Sequence, residues 1–351
     1  MKIGIVGLPN VGKSTLFNAL TRSTQADAQN YPFCTIDPNV GIVDVPDERL
    51  QKLAKLSKSA KIIPAIVEFV DIAGLVKGAS KGEGLGNQFL AHIREVDALV
   101  QVVREFKDDT VIHVAGKVDP VEDKAIINLE LALADLSTVA RVLERTRKET
   151  KSVAAKEIGN KLAVLELVHK GLEQGKSVRD LDLSKEQQAM IRDLHLLSAK
   201  PMLYVLNVDE AHAVRPVSSD TVVICARLEA ELTALSDEEA AAYLHELGLE
   251  ERGLDRLVKA SYALLNLITY FTTGETETRA WTITSDTKAP QASGVIHTDF
   301  EKGFIKAEVI SYVDFIVGGG ELGAKEKGKF RIEGKEYIMQ DGDVCHFRFN
   351  T

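Results

Sequence analysis

The segment Gly7-Leu8-Pro9-Asn10-Val11-Gly12-Lys13-Ser14 constrains this chain more than any other. It follows the apolar run 2–6, typical of a strand, and precedes the run 15–20, typical of a helix. Gly-x-x-x-x-Gly-Lys-Ser in that setting is a phosphate-binding loop, because its glycines allow the tight turn in which backbone N–H groups surround a phosphate. The helix that follows directs its positive end at the same anion. A nucleotide site is therefore predicted at the N-terminus of the chain.

Four residues have roles that their types and positions suggest. The ammonium group of Lys13 would reach the β- and γ-phosphates, and the hydroxyl of Ser14 would bind Mg²⁺. A D-x-x-G motif follows a later strand-like run. In it, Asp71 would hold Mg²⁺ through water and the N–H of Gly74 would contact the γ-phosphate.

Two further stretches fit a nucleotide-dependent switch. Thr35, between the first helix and the second strand, can bind Mg²⁺ through its hydroxyl and the γ-phosphate through its N–H; the alternative is an ordinary loop threonine. Gly78–Asn87 is rich in glycine and costs much conformational entropy to order. Such a segment suits a switch that orders with a triphosphate and relaxes after hydrolysis.

The segment Asn207-Val208-Asp209-Glu210, at the end of a strand-like run, predicts adenine rather than guanine as the base. Guanine-specific proteins carry Asn-Lys-x-Asp there, and the longer carboxylate of Glu210 no longer fits the two donors of guanine. An Asn amide can pair with N7 and the 6-amino group of adenine together. We expect ATP over GTP, with Asn207 at the base, or Asp209 if the loop shifts by one residue. Ala226 would give a backbone N–H to the base.

Leu75 occupies the position after the D-x-x-G motif, where a glutamine usually orients the attacking water. Leucine cannot hydrogen-bond water, so unaided hydrolysis should be slow. His113 is one candidate for placing the water, and the alternative is a surface or edge histidine. Asn10 is another candidate, through a monovalent cation such as K⁺ bound beside the phosphates.

Short apolar runs that alternate with helix-like runs predict an α/β fold with a mostly parallel sheet and helices on both faces. Predicted strands cover residues 41–45, 65–70, 97–103, 202–206 and 221–224, and predicted helices cover 47–56, 85–95, 229–234, 237–247 and 253–270.

The period of apolar residues changes between residues 103 and 202. They step by three and four, as in a heptad seam, and predict two long helices folded back as an antiparallel hairpin. Ser184, with Gln187 three residues later, predicts the start of another helix. The first seam comprises Ile126, Leu129, Leu133, Leu136, Ala140 and Leu143, and the second Ile158, Leu162, Leu165, His169 and Leu172, with His169 interpreted as the edge of a helix contact.

Charge distinguishes this hairpin from the rest of the chain. The whole chain carries a net charge of −9, which implies no general attraction to nucleic acid, yet between Lys124 and Lys200 basic residues outnumber acidic ones by 14 to 11. Two interpretations stay open: a solvated helix face and an arm that contacts RNA. The basic cluster comprises Arg141, Arg145, Arg147, Lys148, Lys151, Lys156 and Lys161.

Composition excludes several classes of protein. The chain has no run of eighteen apolar residues and no basic stretch before an apolar core, so we expect neither a membrane span nor a signal peptide. Its three cysteines are scattered, which fits a reducing cytosol better than a disulfide framework or a metal site. From about Trp281, short strand-like pieces at 281–284, 307–311, 336–338 and 344–349 alternate with glycine-rich turns and predict a separate α+β domain.

Several motifs together resemble one family. Residues 7–18, 30–35, 71–76 and 82–90 resemble the Obg group of translation-factor NTPases. Residues 116–120 and 207–210 narrow the resemblance to the Obg-like ATPases of the YchF type, the ribosome-binding ATPases. The resemblance implies a P-loop NTPase domain, a helical insertion and a C-terminal domain similar to a TGS domain, a ubiquitin-like β-grasp.

The resemblance also implies roles for individual residues. The phosphates would be bound by Asn10, Val11, Gly12, Lys13, Ser14 and Thr15, and Mg²⁺ by Ser14 and Thr35 together with Asp71. The resemblance places the backbone of Val208 at the base. The residues themselves add Asn207, Glu210 and Ala226 as candidates for the base and Lys13, Gly74 and His113 as candidates for catalysis.

We therefore expect a P-loop domain over residues 1–122 and 201–276, a coiled-coil insertion over 123–200 and a TGS-like domain over 277–351. The expected function is a slow, Mg²⁺-dependent ATPase that acts as a switch on ribosomes. Its expected partners are ATP and the large subunit or whole ribosome with its RNA, without membrane or DNA, for a cytoplasmic monomer. A GTPase of the Obg type, a metabolic phosphotransferase and a nucleotide-binding module without turnover stay open as alternatives.

Overall fold

The computed structural model describes residues 1–22, 39–72, 85–108, 110–113, 116–152, 156–214, 218 and 220–350, without the side chains of 85–88, 150–152, 156 and 157. The strands are β1 (Lys2–Gly7), β2 (Val40–Asp44), β3 (Lys61–Ile63), β4 (Ile66–Asp71), β5 (Ala98–Arg104), β6 (Met202–Asn207), β7 (Thr221–Ile224), β8 (Leu267–Thr273), β9 (Glu277–Thr284), β10 (Phe304–Ser311), β11 (Arg331–Glu333) and β12 (Asp343–Phe349).

The helices are α1 (Lys13–Arg22), α2 (Glu48–Ser57), α3 (Leu85–Glu95), α4 (Pro120–Ser152), α5 (Lys156–Glu173), α6 (Lys185–Ile191), α7 (Ala226–Leu232), α8 (Asp237–Glu246), α9 (Gly253–Leu264), α10 (Ala289–Ile296), α11 (Thr298–Lys302), α12 (Tyr312–Gly318) and α13 (Glu321–Glu326).

The helix predicted over 253–270 ends earlier than its apolar pattern suggested. α9 stops at Leu264, Asn266 adopts a left-handed φ of 52°, and β8 begins at Leu267. The β8 sequence Leu-Ile-Thr-Tyr-Phe-Thr-Thr is rich in β-branched and aromatic residues, which favour a strand. The prediction was wrong there because a short apolar run does not distinguish a buried strand from a helix.

The first sheet has the strand order β2-β4-β1-β5-β6-β7. β1 pairs in parallel with β4 and β5, β5 with β6, and β6 with β7. All seven residues of β5 are buried, as expected for a central strand covered on both faces. Since β1 lies between β4 and β5, the carboxyl ends of these strands bring the phosphate loop close to Asp71. The predicted P-loop α/β fold is confirmed.

The predicted helical insertion is also confirmed, and the first seam is right in part: Leu143 lies in the hairpin core with Leu136 packed against it, but two other seam positions do not. Leu129 and Leu133 are 49% and 39% exposed, whereas Ile127, Leu131 and Val139 are buried. The buried face also contains polar residues, including Asp135, that the apolar period could not include. The second seam holds at Leu165 and Leu172, which lie in the hairpin core.

Asp135 explains the orientation of α4. Its carboxylate accepts hydrogen bonds from the N–H groups of Leu197 and Ser198, at 2.9 and 2.7 Å, and from the Ser198 hydroxyl at 2.6 Å. Burial raises the pKa of this carboxyl group, against the opposing effect of those hydrogen bonds. Ser184 and Gln187 form the predicted capping box at the start of α6.

A second compact unit contains residues 42–67 together with 258–350. Its sheet has the order β11-β10-β12-β8-β9-β3, in which β3 pairs in parallel with β9. Arg49 on α2 donates to Asp341 at 2.6 Å and to Asp47 at 2.7 Å, within this unit. The predicted strand 336–338 was wrong, because only Ile338 makes an isolated bridge, to Lys288. The domain boundaries at 122, 200 and 276 stay predictions.

Across the described residues, no helix combines the length and the apolar composition that crossing a lipid bilayer requires.

Candidate functional site

The phosphate loop closes tightly because two of its glycines have no room for a side chain. A Cβ on Gly7 would lie 2.8 Å from the carbonyl oxygen of Val102 on the neighbouring β5. Gly12 has a φ of +90°, and a Cβ there would collide with the side-chain amide of Asn207. The first glycine thus serves strand packing, and the second serves both the turn and a close approach to β6.

A cavity of about 570 Å³ lies over this loop. The exposed Ser14 and Thr15 stand in the first turn of α1, where backbone N–H groups lack helical partners and can receive an anion. The cavity is lined by Leu8, Pro9, Asn10, Gly12, Lys13, Ser14, Thr15, Phe106 and Val111.

Lys13 and Asp71 meet at the floor of the site. Nζ of Lys13 lies 3.3 Å from Oδ1 of Asp71 and donates to the carbonyl oxygen of Ile72 at 2.9 Å. Both side chains are largely buried, so the pair is screened less than a surface ion pair. The structure thus brings together the lysine predicted for the phosphates and the carboxylate predicted for Mg²⁺.

The donor set fits a magnesium ion. Oδ1 of Asp71 is buried and accepts no hydrogen bond from the described residues. Ser14, the residue after Lys13, is exposed, so its hydroxyl can be reached by a ligand. Mg²⁺ prefers such oxygen ligands and usually completes its shell with water and substrate phosphates. No group of three or more His, Cys, Asp or Glu side chains in the described ranges could hold a metal by itself, so nucleotide oxygens would be needed.

Asn207 joins the segment predicted to meet the base to the phosphate loop. Its Nδ2 donates to the carbonyl oxygen of Val11 at 2.9 Å, and its Oδ1 accepts from the N–H of Ala226 at 3.0 Å. Asn207 as a whole residue is 5% exposed. An amide has a second N–H and a second lone pair, so contact with a base remains compatible with these bonds.

Two predicted base contacts are used differently. The N–H of Ala226, predicted for the base, is instead donated to Asn207, which satisfies an otherwise unpaired donor at the start of α7. The N–H of Val208 donates to the carbonyl oxygen of Ile224 at 2.9 Å, so that group is also engaged within the protein.

The carboxylates after Asn207 differ in their surroundings. Asp209 accepts a long hydrogen bond, 3.4 Å, from the N–H of Lys107. Glu210 is exposed and begins the short 3-10 turn 210–212. Of the two, Glu210 is therefore the carboxylate more open to a ligand.

Sequence reasoning missed the loop 105–112. Arg104, 2% exposed at the end of β5, donates to the carbonyl oxygens of Phe106, Asp108 and Val111 at 3.2, 3.0 and 2.9 Å. Its guanidinium also lies over the Phe106 ring, 4.4 Å from the centroid. This shapes the loop so that Phe106 and Val111 line the phosphate-loop cavity. An arginine at the end of an otherwise apolar strand was the available signal.

His113 is buried rather than at the surface: its side chain is 4% exposed and Nε2 lies 3.0 Å from Oδ2 of Asp123. Its role in placing the attacking water stays a prediction. Its neighbour Ile112 accepts a hydrogen bond from Nδ2 of Asn10 at 3.1 Å. Oδ1 is therefore the Asn10 atom that a monovalent cation would meet.

Some predicted residues lie outside the described residues. These are Thr35, Gly74, Leu75 and the glycine-rich stretch as far as residue 84. Their predicted roles remain predictions.

The basic cluster of the hairpin is partly neutralised. Arg145 pairs with Glu149, Arg147 with Glu166 and Lys161 with Asp193, at 2.9, 2.9 and 3.1 Å. These pairs are exposed, so each contributes little to stability. They also leave less positive charge for RNA than the sequence count suggested.

The chain is similar to known proteins along nearly its whole length. A family model described as a 50S ribosome-binding GTPase matches residues 2–132, and the model YchF-GTPase_C, described as a protein of unknown function, matches residues 267–350.

Two proteins called ribosome-binding ATPase YchF are close relatives. The protein of Bacillus subtilis (strain 168) is 54% identical, over 99% of each chain. The protein of Escherichia coli O157:H7 is 55% identical, over 100% of this chain and 99% of its own. A solved structure, that of the Schizosaccharomyces pombe YchF GTPase, matches with a TM-score of 0.89 at 41% identity, over 99% of this chain and 97% of that one.

Proposed function

Because the chain belongs to the YchF family of ribosome-binding ATPases, we propose that it hydrolyses ATP to ADP and phosphate with Mg²⁺ bound, and accepts GTP less well. The cycle of ATP binding and hydrolysis would act as a switch on ribosomes. The observation that carries this proposal is the junction at Asn207, where the phosphate loop and a segment unlike a guanine reader are joined by one side chain.

The phosphate loop supports triphosphate binding because the contacts that Lys13 now makes within the protein can be replaced by contacts to phosphate. Lys13 now contacts Asp71 and the Ile72 carbonyl oxygen, and phosphate oxygens would replace both. Asp71 would then be released toward the metal, with Ser14 as the second protein ligand. Bound Mg²⁺ would neutralise charge that develops on the phosphates.

The base end supports adenine through charge and hydrogen bonding. Guanine offers two donors, N1–H and the 2-amino group, to a carboxylate at a fixed distance. Glu210 is one methylene longer than the aspartate of guanine readers, and N1 of adenine is an acceptor. The remaining donor and acceptor of Asn207 match N7 and the 6-amino group of adenine. Phe106 and Val111 provide an apolar wall to the cavity over the phosphate loop.

A comparison of affinities for ATP and GTP tests this proposal. Calorimetry should show the unmodified protein binding ATP more tightly than GTP. The double variant Val208→Lys with Glu210→Asp restores the guanine-reading pattern and should reduce that preference. Arg227→Lys, at an exposed residue one position past Ala226, is a matched control that should leave the preference for ATP unchanged. A clear preference of the unmodified protein for GTP would contradict the proposal.

Hydrolysis should be slow without a partner. A leucine stands where a glutamine usually orients water, and His113 is buried against Asp123. The proposed stimulating partner is the ribosome, and the whole protein would work in the cytoplasm as a monomer. Phosphate release measured with and without ribosomes tests this, and equal rates would contradict it.

The hairpin is the proposed surface for ribosomal RNA. Arg141 and Lys148 are exposed on α4 beside the ion-paired residues. Co-sedimentation with ribosomes in the ATP and ADP states should be weakened by charge reversal at Arg141 and Lys148. Reversal at Lys55, an exposed lysine on α2, is the control.

One observation favours a second candidate, a GTPase. The model that matches residues 2–132 is described as a 50S ribosome-binding GTPase. Product analysis with ATP and GTP in competition separates the ATPase from the GTPase, because an ATPase should form ADP first.

A further inference from the structure

We propose that Asp123 is a positioning residue that holds His113 in a closed arrangement and thereby connects the α4–α5 hairpin to the phosphate loop. This inference rests on the proposed function for its kinetic consequences, although the contact itself is a property of the free protein. It assigns a role to a buried carboxylate that lies outside the nucleotide cavity.

The pair is buried and directional. The side chains of His113 and Asp123 are 4% and 2% exposed, and Nε2 and Oδ2 are 3.0 Å apart. An ionised carboxylate only accepts hydrogen bonds, so Nε2 donates. His113 cannot orient a water beside the phosphates while this bond holds its ring.

The pair is not optimised for stability. Oδ1 of Asp123 is buried and has no hydrogen-bond partner in the described part of the chain, and the same is true of Oε1 of the neighbouring Gln101. Buried polar atoms without partners are costly, and each calls for an explanation. A contact that must open during the cycle can keep buried polar atoms without partners, because a tighter contact would be harder to open. A purely structural contact would be expected to satisfy those atoms.

A short chain of contacts leads from the pair to the phosphate loop. His113 directly follows Ile112, whose carbonyl oxygen accepts from Nδ2 of Asn10 at 3.1 Å. Asn10 lies in the phosphate loop with a left-handed φ of 63°. Displacement of His113 would therefore disturb the conformation of Asn10 at the edge of the site.

The other side of the pair leads to the hairpin. Asp123 lies in the first turn of α4, and Nε2 of Gln101 on β5 donates to its carbonyl oxygen at 3.0 Å. α4 has 33 residues and so extends about 50 Å at 1.5 Å per residue. A partner that moves the distant end of this helix would act on Asp123 through a rigid element.

The consequence is a closed state that lowers unaided turnover. When a ribosome holds the hairpin, a shift of the first turn of α4 would separate Asp123 from His113. Nε2 would then lose the partner that directs it away from the phosphates, and the imidazole would turn toward them. The same event would release the Ile112 segment from Asn10.

Chemical modification tests the contact without any measurement of turnover. Diethyl pyrocarbonate acylates accessible imidazole nitrogens, and mass spectrometry of the full chain reports each histidine separately. In the free protein His113 should react much more slowly than the exposed His297 and His346, which act as internal references. Asp123→Asn should raise the rate at His113 about tenfold or more, because a hydrogen bond to a charged group is worth about 1.5–3 kcal/mol.

The matched control is Asp119→Asn. Asp119 precedes the same helix and its side chain is 37% exposed, and its carboxylate accepts from the N–H of Glu122 at 3.1 Å and from Nζ of Lys117 at 3.1 Å. It should leave the reactivity of His113 unchanged. Equal reactivity of His113 in the unmodified protein and both variants would overturn the proposal.

The unmodified protein supplies a test that needs no variant. Binding to ribosomes with a non-hydrolysable ATP analogue should raise the reactivity of His113 severalfold relative to His346. Continued protection of His113 in that complex would overturn the proposal, even if Asp123→Asn failed to fold.

The rate of ATP hydrolysis distinguishes a positioning role of Asp123 from a purely structural one. Asp123→Asn should raise ATP hydrolysis without ribosomes and lower the stimulation that ribosomes give. Addition of His113→Ala should abolish that rise, and a rise that persists without His113 would overturn the proposal. If ribosomes neither bind nor stimulate the unmodified protein, the proposed function fails, while the modification rates of the free variants still decide whether Asp123 holds His113.

Discussion

Asn207 on β6 donates a 2.9 Å hydrogen bond from its side chain to the carbonyl oxygen of Val11 in the phosphate loop. One amide thus couples the segment proposed to meet the base to the loop proposed to meet the phosphates. Oδ1 of the same amide accepts a hydrogen bond from the N–H of Ala226 and so fixes the start of α7. Nucleotide affinity should therefore depend on Asn207 even for the parts of the ligand that it does not touch.

Asn207→Asp should weaken ATP and ADP binding alike. The substitution keeps the side-chain shape but places a carboxylate oxygen against the Val11 carbonyl oxygen. Loss of this buried bond should cost about 1–3 kcal/mol of binding free energy. Calorimetry with both nucleotides measures it, and Tyr204→Phe, on the same strand, is the control. An effect confined to ATP would contradict the expected link to the phosphate loop.

Gly12→Ala should abolish most nucleotide binding. A Cβ would both strain a φ of +90° and displace the Asn207 amide. Gly175→Ala separates these effects, since Gly175 has a φ of +74° with no atom within 4 Å of a Cβ. It should show only the backbone cost of about 1–2 kcal/mol in stability, without loss of affinity. Thermal unfolding and fluorescent-nucleotide titration measure the two quantities, and equal loss of affinity in both variants would refute the role of Asn207.

Asp71→Asn should impair the Mg²⁺-dependent reaction without impairing nucleotide binding in the absence of Mg²⁺. Removal of the carboxylate charge frees Lys13 from its 3.3 Å partner and deprives the metal of its predicted ligand. We expect turnover to fall by about 100-fold or more, in the range typical for loss of an electrostatic group. ADP binding without Mg²⁺ should persist or improve. Titrations of ADP with and without Mg²⁺ measure this binding. Weaker binding without Mg²⁺ would argue against the exchange of partners at Lys13.

Arg49→Ala should loosen the unit that contains residues 42–67 and 258–350. Arg49 bridges Asp47 and Asp341 and lies over the Phe271 ring. We expect a loss of about 1–2 kcal/mol, since a partly buried network is broken. Hydrogen exchange of β8 amides measures this locally. Lys52→Ala, on the same helix but in an exposed pair, should have little effect.

Glu229→Gln should change how stability depends on pH. Burial raises the pKa of the Glu229 carboxyl group, while the N–H groups of Gly253 and Leu254 oppose that shift. The folded state thus holds this proton more tightly than the unfolded state, so stability is lost as pH rises from the unfolded pKa through the folded one. Urea unfolding over acid to neutral pH should show this loss in the unmodified protein and not in the variant. Glu246→Gln, at an exposed residue of α8, is expected to follow the unmodified protein.

Local spacing was sufficient to predict much of the molecule. The phosphate loop, its flanking strand and helix, and the capping box at Ser184 depend on residues a few positions apart. Leu129 and Leu133 were wrongly assigned to the buried face of α4, because that face includes Asp135, whose carboxylate is buried by hydrogen bonds from residues far away in sequence. A pattern of apolar residues contains no information about a carboxylate that is buried by its partners.

The sequence by itself determined the P-loop α/β fold, the helical insertion and the identity of the phosphate- and metal-binding candidates, because glycine geometry and residue chemistry act locally. Only the tertiary structure decided that Asn207 holds Val11, that Arg104 shapes the loop bearing Phe106, and that His113 is held by Asp123. Each of these is a hydrogen bond between buried polar groups. Such bonds are specified by where the strands and helices meet, since a buried donor or acceptor must find its partner in space rather than along the chain.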